Sequence, residues 1–182
     1  MDTGLLAYGA YLPVRRLQRA AVAKTHAWFN PGLKGLVRGE RTIANGDEEP
    51  VTMSVEAARN CMHGQDRDAL GALWLASTSL PFRDRQNAGI VGDALSLKPN
   101  VMTLDIASSQ RAGTTALMAA LQGEGKALVI AADRRGAKAG SPQEMTYGDG
   151  AAALLVGKGD VVARLIGSHS EAVDFVDHYR GE

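Results

Sequence analysis

Apolar residues along this chain fall into short runs, and helically spaced stretches separate them. Gly4 to Leu12 form one such run, closed by Pro13, and read as a first strand. Residues 17–28 alternate at helical spacing until Asn30-Pro31-Gly32 stops them. Residues 32–50 mix glycines and charges without a period and read as a loop. Val51, Val55, Ala58 and Met62 then recur at helical intervals, which predicts a helix over 52–62 with one buried stripe. The run 69–77 has the length and composition of a buried strand, interrupted by Pro81. Residues 85–97 read as a helix with Ile90, Ala94 and Leu97 on one side. Residues 101–106 predict a strand, Gly113 to Leu121 a helix broken by Gly123-Glu124-Gly125, and 126–132 another buried strand. After a polar linker at 134–147, the runs 151–156 and 161–167 read as strands joined by Gly157-Lys158-Gly159-Asp160, the pattern of a hairpin. Strands alternating with helices and closed by a hairpin predict a layered α/β sheet with helices packed on it.

Composition narrows the function classes. The 182 residues suffice for one domain with a real core, and 45% hydrophobic and 22% charged residues are ordinary for a globular protein. Twenty basic and twenty acidic side chains cancel, and no basic stripe offers nucleic acid a handle. No apolar run is long enough to span a bilayer, and Asp2 opens no basic-then-apolar leader. With the single cysteine, Cys61, this predicts a cytoplasmic protein without disulfides. The histidines at 26, 63, 169 and 178 have no metal-ligand spacing, so no metal or other resident cofactor is expected, and His169 and His178 read as surface or loop residues. Aromatics are only 5%, while small residues are abundant, which suits helices packed closely on a sheet.

Candidate chemistry centres on residue 110. Strand, small-residue turn and helix over 101–121 place it at an elbow, facing the backbone N–H groups and positive dipole end of the helix. That geometry serves to lower the pKa of a nucleophilic thiol.

The stretch Asp105-Ile-Ala-Ser-Ser-Gln110-Arg-Ala-Gly113-Thr resembles the nucleophile segment of 3-hydroxy-3-methylglutaryl-CoA synthases and ketoacyl synthase III enzymes of the thiolase superfamily. Gly9-Ala-Tyr-Leu-Pro13, Glu40-Arg-Thr-Ile-Ala44 with 51–58, and Tyr147-Gly-Asp-Gly-Ala151 resemble three further family segments in the same order. The resemblance covers about residues 4–180 and implies the first of two similar βαβαβαββ halves, with a mixed five-stranded sheet, over 1–182. It is closest to synthase-like proteins associated with an OB-fold, zinc-ribbon partner, with Ser168-His-Ser170 as the matching run. It further implies acyl-CoA as ligand. As partners it implies a homo-oligomer formed through the strand at 101–106, or a hetero-complex with a thiolase-like or OB-fold protein.

The departures bear on activity. Gln110 stands where the family has its cysteine, and a carboxamide does not attack a thioester. Thr78 stands at the general-acid glutamate position. Ser108 and Ser109 fall one or two residues short of the nucleophile position, and no histidine lies between 64 and 168 to activate them. The family's own histidine belongs to the second half. The expectation is therefore a synthase-like subunit or fragment that is non-catalytic alone. The alternative is a decarboxylase or acyltransferase in which Gln110 donates a hydrogen bond to a developing enolate, with residues from a partner chain.

For substrate binding, the resemblance puts Arg38 and Arg41 near a CoA mouth, with Trp28 to stack on adenine, against the plain reading of a solvated loop. Arg111 could meet a phosphate or carboxylate, or pair with Asp105 or Asp133, and Gly113 opens the helix beside it. Gly148 and Gly150 read as close-approach glycines flanking an Asp149 that bonds local backbone. Cys61 and the methionines at 53, 62, 118 and 145 read as packing residues.

Overall fold

The computed structural model describes residues 2–107 and 109–173. Within them the chain runs β1 (Asp2–Tyr11), β2 (Arg15–Gln18), α1 (Arg19–His26), a 3-10 turn Pro31–Leu36, and β3 (Glu40–Ile43). It continues through α2 (Pro50–Cys61), β4 (Leu70–Ala76), α3 (Asn87–Ala94), β5 (Met102–Ile106) and α4 (Ala112–Gln122). β6 (Lys126–Asp133), α5 (Pro142–Thr146), β7 (Gly150–Gly159) and β8 (Ala163–Arg164) complete it. The main sheet has six strands in the order β5-β4-β6-β7-β1-β8, one more than the five expected, and β2 and β3 form a separate ribbon.

β4 lies parallel to both β5 and β6, whereas β7 is antiparallel to β6 and to β1. One sheet face meets α2 and α3 through Leu73, Leu75, Leu128, Ile130, Ala153 and Leu155. The other meets α4 through Ala76, Val129 and Val156, against an alanine stripe at 112, 116 and 120. Alternation along each strand thus feeds two cores, which is why these strands read as continuous apolar runs.

The α2 stripe is buried as expected at Val51, Val55, Ala58 and Met62. The helix starts at Pro50, where the missing N–H costs nothing, and Thr52 Oγ1 accepts from Glu49 N at 2.9 Å. Cys61 packs inward, and burial raises its thiol pKa to about 11. Met53, Met62 and Met145 are buried too.

Four expectations are corrected. Residues 15–18 are strand, because they pair with Glu40–Ile43, inside the stretch expected to be a loop. Each strand is four residues long, too short to display a period. The polar linker holds α5, capped by Ser141, whose Oγ accepts from Glu144 N at 3.2 Å. In α3 Ala88, Val91 and Leu95 are the buried residues; Ile90 and Leu97 pack half-buried against the same core, while Ala94 is exposed. The closing hairpin does not form: β8 is two residues long and pairs with Gly4 and Leu5 of β1, which separates it from β7. β1 presents a free edge there, and Gly4 permits the contact, since a Cβ on it would stand 2.1 Å from Ala163 O.

Candidate functional site

The parallel strands β5, β4 and β6 end together, and each carries polar residues just past its last apolar position. In open α/β sheets the carboxyl ends of the strands are the usual place for a ligand. Ser77 N donates to Ile106 O at 3.1 Å, so the loop after β4 and the elbow after β5 leave the sheet side by side.

At the elbow, Gln110 is exposed in the turn before α4. Ser109 Oγ accepts from Arg111 N at 3.1 Å, and Ser109 O accepts from Ala112 N at 3.0 Å. Ser109 thus closes a side-chain turn just ahead of α4, whose N-cap is Arg111. Ser108 lies outside the described residues. Gly113 seats the helix on β6, where a Cβ would lie 3.4 Å from Ala131 Cβ. Arg111 is exposed, and among the described residues it pairs with neither Asp105 nor Asp133. It borders a cavity of about 530 Å3 between α4 and the exposed segment Ser168-His169-Ser170. His178 lies outside the described residues.

Asp105, five residues before Gln110, is committed elsewhere. Its Oδ2 accepts from Asn87 N (2.7 Å) and Asn87 Nδ2 (2.9 Å), and its Oδ1 from Ala88 N (2.7 Å). A carboxylate on these N–H groups caps α3 and complements its dipole. Asn87 is fully buried and also bonds Phe82 through both its amide atoms, which fixes the loop after Pro81.

Thr78 sits in the loop after β4, and Asp133, at the end of β6, gathers that loop. Its Oδ1 accepts from Ser77 Oγ (3.0 Å), Thr78 N (2.7 Å), Thr78 Oγ1 (3.0 Å) and Ser79 Oγ (2.9 Å). The sequence reading missed this cluster. Its signal is a Ser-Thr-Ser run and an aspartate each placed just past a buried strand. Asp133 also lines an open groove of about 480 Å3 with Leu12, Thr42, Ala131 and Ala152.

Asp149 is buried, and its Oδ2 accepts from Ala44 N at 2.8 Å, while Asp149 O accepts from Thr42 Oγ1 at 2.6 Å. The backbone it bonds is thus that of β3 and the residue after it, which corrects the expectation of a local turn. Gly148 and Gly150 do allow close approach, to Thr42 Oγ1 and to Leu12 respectively.

Trp28, 83% exposed, borders a groove of about 540 Å3 with Ala20, Ala23, Lys24, Lys34 and Val37. Arg38 is exposed, just past Val37. Arg41 is turned inward, and its Nη1 donates to Tyr147 O at 3.0 Å. Among the described residues, no group of three or more His, Cys, Asp or Glu is placed to hold a metal, and no helix is long and apolar enough to cross a membrane.

An α/β half with an elbow beside the ends of parallel strands defines a thiolase-type layered fold. The chain is a thiolase-superfamily protein that resembles the N-terminal half of hydroxymethylglutaryl-CoA synthase. It is 32% identical over 188 aligned residues to the hydroxymethylglutaryl-CoA synthase of Methanosphaera stadtmanae, covering 99% of this chain and 54% of that one. The synthase of Pyrococcus furiosus is 31% identical over 98% of this chain and 52% of its own length. The chain therefore spans about half the length of the curated relatives it matches. No family model matches it. Among solved structures, MvaS in complex with 3-hydroxy-3-methylglutaryl coenzyme A superposes with a TM-score of 0.77 at 25% identity, covering 86% of this chain and 40% of that one. The 3-oxoacyl-(acyl carrier protein) synthase III of Pseudomonas aeruginosa shares the fold, with a TM-score of 0.74 at 21% identity over 88% of this chain and 51% of its own.

The elbow's exposure carries a testable consequence. In Gln110→Cys the new thiol should react rapidly with iodoacetamide, while Cys61 stays unmodified until the chain unfolds. Peptide mass mapping reads both sites, and prompt labelling of Cys61 in the native protein would contradict its burial.

Proposed function

We propose that this chain is a hydroxymethylglutaryl-CoA synthase-like subunit or fragment that binds acyl-CoA and forms no acyl-enzyme alone. The observation that supports the reading is what stands at the two strand ends. Gln110 at the elbow is no nucleophile, and Thr78, which the resemblance puts at the acid position, is held to Asp133. Acyl transfer through a covalent intermediate needs a nucleophile with a base in reach. Gln110 is no nucleophile, and no histidine lies near Ser109 in sequence.

Acyl-CoA is supported as the ligand by the groove at α1. Trp28 offers a face for adenine, and Lys24, Lys34 and Arg38 offer cations for phosphates. Arg111, at the N-terminus of α4, offers a further positive charge toward the thioester end. The chain works within an assembly, as a homo-oligomer or with a thiolase-like or OB-fold, zinc-ribbon protein. The exposed edge strand β5 supports assembly, since Met102 is 56% and Leu104 43% exposed there. The apolar surface beside α4 supports it as well.

Malonyl-CoA separates this reading from a decarboxylase built on Gln110. Incubated with the chain alone, it should release no carbon dioxide above the blank. Release that disappears in Gln110→Ala would replace this reading with the enolate-stabilising one.

A further inference from the structure

The loop that joins β3 to α2 holds Asn45-Gly46, a pair whose own chemistry is reactive. A backbone nitrogen can attack the side-chain carbonyl carbon of the asparagine before it, closing a five-membered imide and expelling ammonia. Water then opens the imide to aspartate or, through the other carbonyl, to isoaspartate. Glycine is the most permissive follower, because no side chain shields its nitrogen.

The chain has five asparagines, and its structure protects four. Asn30 precedes Pro31, whose nitrogen carries no hydrogen, and its Nδ2 donates to Gly140 O at 2.9 Å. Asn60 lies within α2, and its Nδ2 donates to Ala10 O at 2.9 Å. Asn87 is fully buried, and the nitrogen that would attack it, Ala88 N, is held by Asp105 Oδ1 at 2.7 Å. Asn100 precedes Val101, whose branched side chain crowds the nitrogen. Asn45 has none of these restraints. Glu48 N donates to Asn45 O at 3.2 Å, closing a turn with exposed Gly46 and Asp47 at its tip. Among the described residues, neither the Asn45 carboxamide nor Gly46 N is hydrogen-bonded. The bond to backbone two residues on, which commonly occupies an asparagine side chain in a turn, is not made.

We infer that Asn45-Gly46 is a self-modification site, converting to aspartate and isoaspartate, and that the conversion loosens the attachment of the β2–β3 ribbon to the sheet. That attachment is narrow. The ribbon, α1 and α5 close over a small core of their own, Val22, Ala23, Leu33 and Met145, apart from the two sheet cores. β3 and Ala44 meet the chain entering β7 through three bonds. Arg41 Nη1 donates to Tyr147 O (3.0 Å), Thr42 Oγ1 to Asp149 O (2.6 Å) and Ala44 N to Asp149 Oδ2 (2.8 Å). Glu48 pins the loop itself. Its carboxylate accepts from Tyr11 OH and, at 2.6 Å, from Asn45 N, and its backbone O accepts from Arg134 Nη1 at 2.6 Å. A carboxylate at residue 45 joins Asp47, Glu48 and Glu49, one residue from the Ala44–Asp149 bond, so like charges repel where the loop is pinned. Isoaspartate also adds one backbone carbon, about 1.5 Å of extra chain, and the turn no longer holds both its ends.

The test is storage of the purified full chain at neutral pH and physiological temperature, followed by peptide mass mapping and enzymatic labelling of isoaspartate. Amide-to-acid conversion should accumulate at Asn45 at least tenfold faster than at any of the other four asparagines, with isoaspartate among the products. Gly46→Val should slow it at least tenfold and keep the fold, since a Cβ on Gly46 meets nothing within 4 Å. Hydrogen exchange reads the consequence. In the aged chain and in Asn45→Asp, the amides of Arg15–Gln18 and Glu40–Ile43 should exchange at least threefold faster, while those of Asn87–Ala94 keep the parent rate. Asn45→Gln, whose longer side chain closes no five-membered ring, should stay unmodified and exchange as the fresh parent does. Conversion at Asn45 no faster than at Asn60, or as fast in Gly46→Val as in the parent, would overturn the site. Ribbon exchange unchanged in both the aged chain and Asn45→Asp would overturn the loosening. All of these readouts are independent of acyl-CoA binding.

Discussion

Gly9→Ala should be among the most destabilising single substitutions in this chain. A Cβ at residue 9 would stand 2.3 Å from Cys61 N, 2.5 Å from Ala57 O and 2.9 Å from Asn60 C. All three are backbone atoms of α2 or its last turn, so no rotamer change relieves the contact. β1 and α2 must separate, and the core formed by Ala57, Ala58 and Cys61 against the sheet opens with them. Overpacking of this kind costs about 1–3 kcal/mol, and rigid backbone on both sides places the expected loss at roughly 3 kcal/mol or more. For a chain of this size that corresponds to a fall in melting temperature of about 6–12 °C. Thermal unfolding followed by circular dichroism measures it, and an unchanged midpoint would mean that the strand and helix are less closely apposed than described.

Asp105→Ala should have the second large effect, through a different mechanism. It strips the acceptor from Asn87 N, Asn87 Nδ2 and Ala88 N at once, and Asn87 is fully buried. Buried donors left without partners cost about 1–3 kcal/mol each when water cannot reach them. Partial solvent entry beside the half-buried Asp105 brings the expected total to roughly 2–4 kcal/mol. Asp105→Asn keeps one acceptor oxygen and should recover part of the loss. Denaturant melts of the two variants separate these outcomes, and equal stability of Asp105→Ala and the parent would remove Asp105 from its capping role. Since the same residue opens the segment that leads to Gln110, the variant also shows that this aspartate holds α3 rather than the elbow.

The fold was legible wherever one period ran long enough to declare itself. The stripe Val51, Val55, Ala58 and Met62 located α2, and the runs at 69–77 and 126–132 located the two strands buried on both faces, Leu70–Ala76 and Lys126–Asp133. α3 was legible in part: Ile90 and Leu97 pack half-buried against the core, but the fully buried positions are Ala88, Val91 and Leu95, and Ala94 is exposed. The β2–β3 ribbon joins residues about 25 apart in sequence, and strands of four residues carry too little alternation to be seen. β8 was assigned to the wrong partner because a short glycine-containing turn favours a local hairpin. The choice was made instead by the open edge of β1 and the missing side chain of Gly4.

The candidate site was legible in part. The small-residue turn before α4 marked the elbow, and Gln110 is exposed there. What the sequence could not supply was the hydrogen bonding between segments more than fifty residues apart. Asp133 draws Ser77, Thr78 and Ser79 to one carboxylate oxygen, and Asp149 ties the start of β7 to Thr42 and Ala44. Such contacts depend on which strands lie side by side, and no local pattern encodes that. Arg41 shows the same effect, because the strand pairing of β3 turns its guanidinium to Tyr147 O.

The most direct test of the central claim is the intact mass of the chain after incubation with acetyl-CoA, followed by peptide mapping of residues 101–122. The account predicts no mass gain of one acetyl group on the parent chain, because Gln110 offers no nucleophile and Ser109 Oγ is held in a turn by Arg111 N. An acetyl group found on Ser108 or Ser109 at near-stoichiometric level would contradict it and make this elbow a working acyl-transfer site.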